Sequence, residues 1–294
     1  MRKPERPSHA PFVLGALRIA AAGLVVVAAL LPTHVWGESS LVFPLPEKFE
    51  SVPAVTYDPN GNRLGTASMS VEWVDPETAR LIGTVTLDDG GGTRVQADFR
   101  LVDEGRHLRL IRQISESTTD EGRSLGTLLI EHEKGMARCT PPPDTGLAAK
   151  ELTLPEPDRV ANVPLHLLFA PLARGDAQNL DFDILLCRNE PRFMKFAANV
   201  VERNAGDSEV EGVEIEYAPD FGPLLSFFAS SMVPELRFWV DGENRDRYLS
   251  HRMPLYSDGP EVWVIREGTT PADLGFEPRS TSESRPPLKE ESQP

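Results

Sequence analysis

Cysteine is almost missing from this chain, with two in 294 residues, at positions 139 and 187. Neither sits in a C-x-x-C pair, and the sequence holds no zinc-ligand spacing, haem-attachment motif, dinucleotide fingerprint or P-loop. Cofactor and metal chemistry are therefore unsupported, and the expectation is no cofactor and no metal. Basic residues are also short, 30 Lys and Arg against 45 Asp and Glu, for a formal net charge of −15. Such a chain is repelled by a phosphate backbone and by an anionic membrane surface, so nucleic acid is not expected as a partner.

Long apolar runs are confined to one place, residues 12–31. Arg2, Lys3 and Arg6 precede this run, Pro32 follows it, and Val35 and Gly37 suit a cleavage site before Glu38. That is the tripartite build of a secretory signal. Arg18 interrupts the run and makes it a poor membrane anchor, and no cysteine near the cut would carry a lipid. Residues 1–37 thus read as a cleaved signal peptide, which leaves no membrane span and a periplasmic or secreted chain. Removing them takes away a net +3 and moves the charge from −15 to −18. In an oxidising compartment Cys139 and Cys187 most simply form a disulfide; two inert thiols or one reactive thiol are the alternatives. A bridge across that loop would be worth ~4 kcal/mol in the chain-entropy model.

Beyond the signal, period-two alternation dominates. Ala67, Met69, Val71 and Trp73 share one face against Ser68, Ser70 and Glu72, and Val95, Ala97, Phe99 and Leu101 repeat the pattern against Arg94, Gln96, Asp98 and Arg100. Residues 88–92 read as the turn between Leu81, Val85, Leu87 and the next strand. Further strands are predicted over 107–114, 126–133, 182–187, 193–202, 210–217, 236–240, 248–253 and 261–266.

Two stretches break the alternation with apolar, helical character, 162–174 and 220–232, with Asn162 and Asp220 as N-caps. Pro171 must end or kink the first. Residues 269–294 are rich in Pro, Ser, Glu and Arg and read as a disordered tail, and the proline-rich segment 141–157 is the candidate break in an otherwise single domain over 38–268. The predicted fold is mainly β: a strongly curved antiparallel sheet, half-barrel or open barrel, with two short apolar helices packed on it.

Chemistry-bearing motifs are few. Residues 122–126 spell G-x-S-x-G around Ser124, the pattern of a serine-hydrolase elbow, but a polar run precedes it and a strand pattern follows, so a hairpin turn accounts for it better. Asp58, Asn60 and Asn62 start like a calcium loop, yet Arg63 stands at its sixth position and Met69 at its twelfth. Glu131, His132 and Glu133 read as a solvated strand face, with His132 pointing away from both carboxylates. Asp181 and Asp183 would share a face as glycosidase carboxylates do, a pairing that acidic chains also produce by chance. Arg245, Arg247, His251 and Arg252 form a local cationic cluster that could hold an anion such as a lipid headgroup, balanced by Asp241, Glu243 and Asp246.

Residues 163–172 (VPLHLLFAPL), 251–256 (HRMPLY) and 262–266 (VWVIR) resemble a bacterial family of exported proteins of unknown function, related to the periplasmic lipoprotein carriers. That resemblance, over residues 64–268, implies a curved antiparallel sheet wrapped around short helices with an apolar concavity. It transfers no functional residue, because these are packing and turn signatures.

The function expected is a non-enzymatic envelope protein whose concave face holds an acyl chain or another protein's apolar segment, with a lipid, a lipoprotein or another envelope protein as partner. Trp73, Phe99, Phe169, Phe227, Phe228, Phe238 and Trp239 are the candidate lining residues. The competing readings are a periplasmic hydrolase using Ser124 or a carboxylate pair, and a scaffold that binds only protein.

Overall fold

The computed structural model describes residues 41–46, 51–188, 190–201, 212–220, 236–256 and 259–275. The expectations for residues 1–37, for 221–232 of the second apolar stretch with Phe227 and Phe228, and for residues 276–294 lie outside the described residues.

Alternating sequence becomes one antiparallel sheet. Its first meander comprises β1 (Val42–Pro44), β2 (Val52–Tyr57), β3 (Arg63–Asp75), β4 (Thr78–Leu87), β5 (Gly92–Val102), β6 (His107–Thr118), β7 (Ser124–Glu131), β8 (Met136–Thr140) and β9 (Lys150–Thr153). The second comprises β10 (Asn179–Leu186), β11 (Arg192–Val201), β12 (Gly212–Pro219), β13 (Leu236–Asp241), β14 (Tyr248–Pro254) and β15 (Glu261–Arg266). The order across the sheet is β10-β11-β12-β13-β14-β15-β2-β3-β4-β5-β6-β7-β8-β9, with β1 paired to the start of β6. The two meanders join where β15 pairs with β2, Trp263 opposite Tyr57 and Ile265 opposite Val55.

The outer strands, β9 and β10, are adjacent in sequence but not paired. Cys139 on β8 and Cys187 just after β10 form a disulfide with Cα atoms 5.4 Å apart, which is possible only if the sheet curls until its ends meet. Residues 160–163 finish the seam. Val160 makes a parallel bridge to Asp183, and the Ala161 N–H donates to the Asp183 carbonyl at 2.9 Å. Asn162 then acts as a substitute strand residue: its Nδ2 donates to the Leu185 carbonyl at 2.8 Å and its Oδ1 accepts the Leu185 N–H at 3.0 Å. The edge of β10 is covered rather than left as a template for another chain.

The same segment is pinned from inside by Gln113 of β6, which is fully buried. Its Nε2 donates to the Val160 carbonyl at 3.0 Å, and its Oε1 accepts the Asn162 and Val163 N–H groups at 2.8 and 2.9 Å. His132 approaches the same Nε2 at 2.7 Å and the Pro157 carbonyl at 2.9 Å. Buried polar groups survive only when paired in this way.

From the seam the chain turns onto the concave face. Pro171 divides the apolar stretch into α1 (Leu165–Leu168) and α2 (Ala170–Arg174), and Gly175 at φ 81° closes the second. Phe169, at the junction, is fully buried, with edge-on contacts to Phe182 at 5.7 Å and Phe238 at 5.6 Å and a tilted one to Tyr217 at 5.2 Å. Leu165, Leu168 and Leu172 extend this core toward Leu81, Ala97, Phe99 and Leu110. The opposite face carries a second cluster, in which Trp239, Leu249, Trp263 and Ile265 pack with Leu274.

Four expectations change. Residues 141–157 do not break the domain: β9 lies within them and continues the sheet on β8. Order does not stop at 268, because a turn at Ala272–Leu274 seats Leu274 on the two tryptophans. Asn162 caps no helix, since its side chain is spent on Leu185; Pro164 is the residue before α1. His132 is not on a solvated strand face. A short turn at His132–Lys134 buries it against Gln113 and Pro157, and burial pushes its pKa below the usual imidazole value.

Candidate binding site

Alternation puts Val52 and Ala54 of β2, Ala67 and Met69 of β3, Leu81, Gly83 and Val85 of β4, and Val95 of β5 on the concave face. From the other meander, Phe238, Met253, Val262 and Val264 face the same space, and Val163, Pro164 and Leu165 close it beside α1. The residues at 54, 67 and 83 are small. A partly open cavity of about 160 Å³ lies among them. A Cβ at Gly83 would lie 2.7 Å from Val95 Cγ2, so the valine would have to shift to admit a side chain there.

Among the described residues no Asp, Glu, Lys or Arg lines the cavity; its polar pole is His166 of α1 with Tyr248 and His251 of β14 and the nearby Asn162. The Tyr248 hydroxyl donates to the Val264 carbonyl at 2.7 Å and lies 2.9 Å from His251 Nδ1. The His251 ring stacks parallel to Phe238, centroids 6.3 Å apart. Burial pushes both histidines down to about 4, His166 with a further contribution from His251. The two rings are uncharged at neutral pH. Tyr248 is pushed well above the usual phenol value by burial, so it stays protonated.

The residues singled out in the sequence do not converge on one site. Phe238 lines the cavity. Phe99 and Phe169 lie in the packed core, and Trp73 is 46% exposed near the β3–β4 turn. Trp239 belongs to the cluster on the opposite face. The cationic residues are dispersed. Arg245 donates to the Gly242 and Ala173 carbonyls, Arg247 pairs with Asp241 at 3.1 Å, and Arg252 pairs with Glu261 at 2.5 Å beneath the Trp263 ring. Neighbouring residues on a strand face opposite ways, so His251 enters the cavity and Arg252 leaves it.

Ser124 opens strand β7, its hydroxyl accepting the Gly126 N–H at 3.1 Å, and the turn before it is a hairpin. Asp58 caps its own turn through Asn60 and Asn62. On β10 Asp181 is exposed whereas Asp183 is buried, and that burial raises the Asp183 pKa. Among the described residues no cluster of three or more His, Cys, Asp or Glu could hold a metal. His166, Tyr248 and Asn162 escaped sequence reasoning. The available sign was a lone polar residue inside an apolar run, HLLFA for His166.

No family model and no curated protein matches this chain. Among solved structures it is similar to the β-barrel-like protein of domain of unknown function DUF1849 from Brucella abortus, at 12% identity and a TM-score of 0.38 over 74% of this chain and 95% of that one. The hypothetical lipoprotein YmcC from Escherichia coli K12 is similar at 12% identity and a TM-score of 0.31, over 75% and 85% of the two chains. These values assign neither a family nor an activity.

Proposed function

We propose that this chain is an exported, non-enzymatic protein of the cell envelope that binds an apolar ligand, such as the end of an acyl chain, on the concave face of its sheet. The observation that carries the reading is the cavity of about 160 Å³, which no charged side chain among the described residues lines. An aliphatic cavity of about 150 Å³ stays dry and takes up benzene, so a space of this size suits one ring or a few methylenes. Export is supported by the signal-like pattern of residues 1–37 and by the paired Cys139 and Cys187.

The test is native mass spectrometry of the exported protein, followed by organic extraction and by titration with toluene. Added mass that extracts as lipid, or saturable toluene binding abolished by Ala67→Leu, is the expected result. A bare polypeptide that takes up no toluene overturns it.

A further inference from the structure

The polar pole has a defined hydrogen-bond polarity, and it follows from counting protons. Tyr248 has one hydroxyl proton, and at 2.7 Å from the Val264 carbonyl that proton is committed, because a carbonyl can only accept. The contact at 2.9 Å to His251 Nδ1 must then run the other way, with Nδ1–H donating to the phenol oxygen. A neutral imidazole carries one N–H, so Nε2 of His251 is a bare acceptor. No hydrogen bond reaches Nε2 among the described residues, and the ring lines the cavity.

Resting on the reading of the cavity as a ligand site, we propose that it selects an uncharged ligand with a hydrogen-bond donor, a hydroxyl or an amide N–H, on its apolar body, and that His251 Nε2 accepts that donor. A carboxylate has only acceptors, so it would face the Nε2 lone pair unless the imidazole first took up a proton. An ammonium could donate, but among the described residues no carboxylate lines the cavity to offset the loss of its hydration. A pure hydrocarbon fills the space and leaves Nε2 unpaired. His166, whose ring makes no hydrogen bond among the described residues, offers both a donor and an acceptor and so completes a hydroxyl's pairing without adding charge.

The test uses toluene, benzyl alcohol and benzoate on the purified exported protein at pH 7.5. Dissociation constants come from ligand-observed NMR, and the His251 ring nitrogens are followed by ¹⁵N NMR. The expectation is that benzyl alcohol moves the Nε2 resonance whereas toluene does not, and that benzoate fails to bind. His251→Phe should weaken benzyl alcohol about tenfold more than it weakens toluene, the worth of one hydrogen bond. Toluene binding with an Nε2 signal indifferent to the alcohol, or a His251→Phe variant that weakens both ligands equally, overturns the selection and leaves the cavity reading standing. Failure of all three probes to bind overturns both.

Discussion

The concave face has a filled end and a hollow end, and the contrast lies in side-chain length. Around Phe169, three aromatic side chains and the leucines of α1 and α2 meet, with ring centroids 5.2–5.7 Å from its own. A few strands away, the same alternating pattern presents Ala54, Ala67 and Gly83, and a cavity of about 160 Å³ lies among them. Both ends satisfy the rule that one face of a strand is apolar. Only the first also fills its volume, which is where the last few kcal/mol of packing reside.

The largest effect should come from breaking the filled end. Phe169→Ala should cost about 3–5 kcal/mol in urea unfolding, because it removes a ring with three aromatic partners and leaves a void. Replacing both Cys139 and Cys187 by serine should cost about 2–4 kcal/mol in the same measurement, since it frees the two ends of the sheet in the unfolded chain and opens the seam.

The polar pole of the hollow end should appear as a pH dependence. Both histidines sit near 4 when folded and near their ordinary value of 6.5 when unfolded. Between those values the unfolded chain binds more protons, so their contribution is complete above about pH 6.5 and is lost as pH falls toward 4. The loss is on the order of 3 kcal/mol for each ring. The double variant His166→Phe with His251→Phe should flatten the pH 4–6.5 limb of stability, followed by chemical unfolding; an unchanged limb would place the titration elsewhere.

Filling the hollow end should change stability by less than about 1.5 kcal/mol, yet Ala67→Leu should abolish toluene binding, a separation that a close-packed site could not show. The smallest effect belongs outside both ends: Trp73→Ala, at a side chain 46% exposed, should shift thermal unfolding by an amount worth under about 0.5 kcal/mol.

Much of the molecule was legible in order. Strict alternation over 67–73 and 95–101 marks β3 and β5, Pro171 marks the division between α1 and α2, and two cysteines behind a signal-like start point to their pairing. Less was legible where the information is not local. Residues 136–140 and 150–153 are too short to show a period; the first becomes a strand on the edge that β7 offers, and the second on the edge of β8. His132 looked solvated because its neighbours are glutamates, and it is buried because Gln113, nineteen residues away, needs a partner.

What the sequence determined by itself is everything that depends on neighbours along the chain: strand faces, turn positions, net charge, the signal-like start. Tertiary structure alone decided which ends of the sheet meet, which clusters Phe238 and Trp239 join, and that His166 and His251 share a cavity with Tyr248. The physical reason is that a period of two says which side a residue faces but not what stands across from it. A cavity is a property of the opposing surface as much as of its own.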